Sequence, residues 1–110
     1  KNHSAANYGF RSALTKFQEK KYTLASQILK SLLHDDPHNA RYNLWCARSM
    51  EKLACFDSAE VYYRRAIAIQ PENATFHGRY ASLLHFKLDR LNLARKHYEI
   101  ALSLRDDINA

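Results

Sequence analysis

Apolar residues recur at three- and four-residue steps along most of this chain, the spacing of helices that each bury one face. In one stretch the recurring positions are Tyr42, Cys46, Ala47, Met50 and Leu53, and after "CFDS" they resume at Ala59, Tyr63, Ala66 and Ile67. That pattern predicts two helices joined by a tight turn, with Asp57 or Ser58 capping the later helix and Pro71 closing it. The closing stretch "QPENA" echoes an earlier "DPHNA". Pro37 and Pro71 are 34 residues apart, as are Asn39 and Asn73, and Ala40 and Ala74.

The same interval orders the whole chain. Tyr8, Tyr42 and Phe76 form one column, and Ala13, Ala47 and Ala81 another; Tyr22 pairs with Phe56, Ala25 with Ala59, Leu29 with Tyr63, and Leu33 with Ile67. The third copy continues 35 residues on, with Leu91, Ala94, Tyr98, Ala101 and Leu102. Its extra residue falls within "HFKLDRLN", a turn between helices, where an insertion costs little. One helical hairpin cannot bury its own apolar face, whereas stacked copies share a continuous core. The expected fold is therefore an all-α right-handed solenoid of three helix–turn–helix repeats, at 6–39, 40–73 and 74–108 of a single domain spanning 1–110. Ala47, Ala59 and Ala81 should sit buried where helices approach closely, while Tyr63 and Tyr98 fill the wider gap towards the neighbouring copy.

Composition agrees with helices and narrows the chemistry. Two Gly and two Pro in 110 residues argue against turn-dense β architectures. No apolar run approaches the ~18 residues of a membrane span, and no signal-peptide pattern is present. Cys46 and Cys55 lack a nearby partner and read as reduced thiols of an intracellular protein, cytoplasmic or nuclear. The net charge of +6 favours acidic partners. The chain opens at Lys1 without a Met and ends in "RDDINA", as expected of a piece of a longer protein.

Catalytic motifs are missing. No GxGxxG, P-loop, HExxH or Gly-x-Ser-x-Gly occurs, and so few glycines make a phosphate-cradling loop hard to build. Pro37 separates His34 from His38, and His77 and His85 do not align on one helical face. Neither pair has Cys or carboxylate ligands at metal-site spacing, so the histidines are expected on the solvated surface. The reading is a non-enzyme with no cofactor and no metal.

These columns resemble the tetratricopeptide repeat, over essentially the whole chain. The hallmark positions hold small residues (Ala13, Ala47, Ala81; Ala25, Ala59, Ala94), an aromatic (Tyr63, Tyr98), a further small residue (Ala66, Ala101) and Pro37 or Pro71. Copy 1 departs, with Leu29 and Leu32 where Tyr63 and Ala66 stand in copy 2. Gly9, Asn43 and His77 take the place of the family's usual Trp, and copy 3 ends in Asp106 rather than Pro, leaving its last helix to run on or fray. "ARKHYEIAL" also resembles the half-a-tetratricopeptide variant associated with RNA.

The resemblance implies a protein-interaction module, a scaffold or adaptor, whose earlier helices line a concave groove. The implied groove residues are Asn7, Phe10, Arg11, Leu14, Phe17 and Gln18; Arg41, Leu44, Trp45, Arg48, Glu51 and Lys52; and Thr75, Gly78, Arg79, Ser82, His85 and Phe86. The basic and aromatic content of this set suits a peptide with acidic and bulky apolar side chains. Phe10, Phe17 and Trp45 could instead be core, or contact a flanking repeat. Some family members grip acidic heat-shock chaperone tails with a clamp of Lys, Arg and Asn. The matching places here hold Phe10, Leu14, Trp45, Thr75 and Arg79, and only Arg79 fits, which argues against that ligand. Two other readings compete: RNA binding through Lys30, Arg64, Arg65, Arg95 and Lys96 on the later, convex helices, and a structural spacer that self-associates through its solenoid ends.

Overall fold

The computed structural model describes residues 3–109, with side chains described for 5–105. Lys1, Asn2 and Ala110 lie outside the described residues, as does the side chain of Asp106. The chain forms α1 (His3–Gln18), α2 (Tyr22–Asp35), α3 (Ala40–Lys52), α4 (Phe56–Ile69), α5 (Ala74–Phe86) and α6 (Leu91–Asn109). Each helix packs on the next, and the antiparallel pairs α1–α2, α3–α4 and α5–α6 make a right-handed solenoid measuring 39 × 32 × 22 Å. No described helix is long and apolar enough to cross a membrane.

The repeat columns become the core. Ala25, Ala47, Ala59, Ala66 and Ala81 are fully buried, and so, nearly, are Ala13 and Ala94. Tyr63 is buried between α3 and α5 as expected, whereas Tyr98, its counterpart at the end of the solenoid, is only half-buried. Tyr8 shows the same end effect. It is 79% exposed, while Tyr42 and Phe76 of its column are buried at 8% and 3%. The internal copies have a neighbouring helix over this position, and Tyr8 has none among the described residues.

Turn chemistry repeats as faithfully as the core. Lys20, Ala54 and Asp89 adopt positive φ (63°, 60° and 55°), one in each turn within a hairpin. Lys21 N–H donates to the Lys16 carbonyl and Cys55 N–H to the Met50 carbonyl, the closure that uses up free carbonyls where a helix reverses into a left-handed residue. The third turn carries one residue more, Lys87 to Arg90 against Leu53 to Cys55, where the sequence placed the insertion. Between hairpins, Asn39 and Asn73 cap α3 and α5, their side chains accepting from Tyr42 N–H (3.0 Å) and Phe76 N–H (3.1 Å). The echo of "DPHNA" and "QPENA" is thus a helix end, a Pro that forbids continuation and an Asn that starts the next helix. Lacking such a Pro, α6 runs on to Asn109.

Two local expectations need correction. Neither Asp57 nor Ser58 caps α4: the helix begins at Phe56, directly after the left-handed Ala54, with Cys55 in the cap position and no side-chain cap bond. Asp57 therefore falls inside the first turn, where its charge suits the helix dipole. The histidines are not all on the surface either. His77 is buried at 4% exposure, held by the two hydrogen bonds described below. His34, His38 and His85 are exposed, His97 is half-buried, and the side chain of His3 lies outside those described.

Candidate functional site

The earlier helices α1, α3 and α5 carry the groove residues expected from sequence, in two neighbourhoods rather than one continuous row. At the first, Asn7, Phe10, Arg11 and Leu14 of α1 meet Arg41 of α3 around a cleft of about 560 Å³, with Tyr8 on its rim. The Arg41 guanidinium lies 4.8 Å from the Phe10 ring centre, and Phe10 packs on Tyr42. One turn deeper, Phe17 and Trp45 meet edge to face, with centroids 5.2 Å apart and planes at 83°. Arg48 lies in the corner they form, 4.3 Å from the Trp45 ring and 5.1 Å from Phe17.

At the second neighbourhood, Thr75, Gly78 and Arg79 of α5 line a cleft of about 450 Å³ with Tyr98, Ala101, Leu102 and Arg105 of α6. Ser82 is half-buried, Lys52 is exposed, and His85 packs beside Phe86 and Tyr98. Leu44 offers no groove surface, because it is buried in the core with Ala40 and Tyr63. Phe10, Phe17 and Trp45 are half-buried: Phe10 and Trp45 pack against the core cluster of Ala13, Leu29, Tyr42 and Cys46, and Phe17 packs edge to face on Tyr22 and Trp45.

The charges on this face are unbalanced. Among the described residues the ion pairs are Lys16–Glu19, Lys21–Glu19 and Arg90–Glu60, so Arg11, Arg41, Arg48, Lys52 and Arg79 have no carboxylate in contact. The acid of this face, Glu51, accepts a 2.7 Å hydrogen bond from the buried Tyr63 hydroxyl. Burial and that carboxylate both push the Tyr63 phenol well above its ordinary range. Arg48 is pulled below its usual value, first by burial and then by the nearby Arg79 charge.

Two polar arrangements went unread in the sequence. Tyr80 O–H and Arg90 N–H both donate to one Glu60 oxygen, each at 2.6 Å, tying α4 to α5 and to the turn before α6. His77 stacks on His97, with their Nδ1 atoms 2.9 Å apart and His77 Nε2 2.7 Å from the Pro71 carbonyl. The carbonyl can only accept, so His77 Nε2 carries a proton, and in the neutral pair His97 Nδ1–H donates to His77 Nδ1. The counterpart Asn43 donates its Nδ2–H to the Pro37 carbonyl in the same way, and also to the Asn39 carbonyl. A polar residue in the column usually filled by Trp was the available signal, but its partners appear only in three dimensions. Among the described residues no three His, Cys, Asp or Glu side chains gather as metal ligands. Cys46 is buried, and burial pushes its thiol up to about 11, while Cys55 is exposed.

No protein-family model matches the chain, and no curated protein matches it in sequence. Solved structures do match. MamA of Desulfovibrio magneticus RS-1 superposes with a TM-score of 0.88 at 17% identity, over 93% of this chain and 57% of that one. The first tetratricopeptide domain of Spaghetti (RPAP3), bound to the HSP90 peptide SRMEEVD, gives 0.86 at 24% identity, over 94% and 81%. The type III secretion translocator chaperone SycD of Yersinia enterocolitica gives 0.88 at 18% identity, over 94% and 77%. The chain thus spans little more than half of the MamA structure. These likenesses establish the tetratricopeptide-repeat fold.

Proposed function

We propose that this chain is a non-catalytic protein-interaction module, part of a scaffold or adaptor, that takes a partner segment along the concave face of α1, α3 and α5. The partner segment carries acidic and bulky apolar side chains. The observation behind this reading is the set of Arg and Lys without carboxylate partners on these helices, together with half-buried Phe10, Phe17 and Trp45. Unpaired cations beside exposed aromatic surface suit a ligand that supplies both the missing charge and the apolar cover. The peptide complex of RPAP3 shows that this fold can hold an acidic segment in another protein. The clamp places here hold Phe10, Leu14, Trp45 and Thr75 beside Arg79, so a chaperone tail gripped through those places is not the ligand proposed.

Two paired charge reversals test the reading. Arg48→Glu with Arg79→Glu should abolish binding of a partner recovered with this chain as bait, while circular dichroism shows the helices intact. Arg64→Glu with Arg65→Glu, on α4, should leave that binding intact. The reverse outcome, with affinity falling steeply in salt and RNA as the ligand, would replace the groove by the convex face.

A further inference from the structure

One cation of this face stands apart in its surroundings, one helical turn along α3 from the position that the chaperone clamp would use. Trp45 occupies the clamp position, and Arg48 follows it by three residues on the same face of α3. Resting on the groove reading above, we propose that Arg48, cornered by Phe17 and Trp45 and backed by Arg79 of the next repeat, is the seat for one oxyanion of the bound segment. That oxyanion is a side-chain carboxylate or a phosphate ester.

The corner is what makes Arg48 different from the other cations of the face. Two rings at 83° flank its guanidinium, which packs within 5.1 Å of one centroid and 4.3 Å of the other. A guanidinium stacked on aromatic surface keeps its N–H edge free for two parallel hydrogen bonds to a carboxylate or phosphate. Here that edge is unused: among the described residues Arg48 has no side-chain hydrogen bond and no ion pair, and neither has Arg79. Phe17 belongs to α1 and Trp45 to α3, so the corner exists only because two repeats are stacked. Arg79 comes from α5 of the third repeat, and its charge is felt at both Arg48 and the Tyr63 hydroxyl. The nearby acid does not fill the seat. Glu51 is bonded to Tyr63 and out of ion-pair contact with either Arg. Half-buried Arg48 thus bears a desolvation cost and a like-charge neighbour, and an incoming oxyanion relieves both.

The test uses three labelled, amidated peptides of one scaffold, Ser-Leu-X-Ser-Phe-Ser, with X as Glu, Gln or phosphoserine. Each is titrated against the protein by fluorescence anisotropy, with amide chemical shifts followed to millimolar concentration. The Glu peptide should bind at least ~10-fold more tightly than the Gln peptide, the scale of a charge-assisted bidentate contact. That ratio should collapse to about 1–2 in Arg48→Gln, shrink in Arg48→Lys, which keeps the charge but loses the fork, and survive in Arg64→Gln. Circular dichroism should show the variants folded. A phosphoserine peptide that binds ~10-fold more tightly than the Glu peptide, through the same Arg48, identifies a phosphate ester; parity identifies a carboxylate. A Glu-to-Gln ratio that persists in Arg48→Gln overturns the seat. Should Leu14→Asp then still abolish binding of the Glu peptide, the groove reading stands without it; should Leu14→Asp change nothing, or no peptide bind at all, both fall.

Discussion

Copy 1 breaks the repeat at two places that touch each other, and exchanging their bulk measures how far the fold depends on that contact. Copies 2 and 3 place a large residue on the earlier helix (Asn43, His77) and Ala on the later one (Ala66, Ala101). Copy 1 reverses this with Gly9 and Leu32. A Cβ at Gly9 would lie 3.1 Å from Leu32 Cδ2, with Cγ and Cδ1 at 3.7 and 3.8 Å. Leu32→Ala removes three carbons, about 2.4 kcal/mol at full burial and about 1.2 for this half-buried side chain. Gly9→Leu overpacks the contact at about 1–3 kcal/mol, less the ~0.8 kcal/mol gained by replacing Gly in a helix. Together the two substitutions put the volume back on the other helix, so the double variant should lie within ~0.5 kcal/mol of the parent, with a coupling of about 1–3 kcal/mol. Urea and thermal unfolding followed by circular dichroism read this directly, at about 4 °C per kcal/mol for this length. Strictly additive single effects would refute the reasoning.

Ala47 is fully buried where α3 meets α4, so Ala47→Leu should cost about 1–3 kcal/mol by overpacking; an unchanged melting temperature would show the helix contact misassigned. The His pair makes stability depend on pH. Burial, then His77 and Lys96, hold His97 below its ordinary 6.5, so the unfolded chain binds more protons and stability falls as pH drops below that value. Melting temperatures measured from about pH 7.5 down to about pH 5 should decline, and decline less in His97→Gln than in the parent; equal slopes would remove the pair from the account.

Most of the architecture was legible because the chain had to solve one packing problem three times, once in each copy. Ala at 47, 59 and 81, the capping Asn39 and Asn73 and the terminating Pro37 and Pro71 are local requirements of closely packed helices, so they recur at a fixed interval. The extra residue before Leu91 could be placed because a turn tolerates it. Particular polar contacts between helices, whether within a copy or between copies, left no such trace. The His77–His97 and Tyr80–Glu60 bonds each join residues 20 apart on different helices, and nothing in either local sequence names its partner. The burial of the residues expected to line the groove was not legible. Leu44 sinks into the core, while Phe17 crosses from α1 to make a corner for Arg48 that no spacing rule on α3 could show.

The central claim is that the face of α1, α3 and α5 receives the partner, and amide chemical-shift mapping of the isotope-labelled chain with that partner tests it most directly. Shifts should concentrate at Arg11, Arg41, Trp45, Arg48 and Arg79. Shifts concentrated instead around Arg64, Arg65, Arg95 and Lys96 on α4 and α6, with the earlier helices silent, would contradict it.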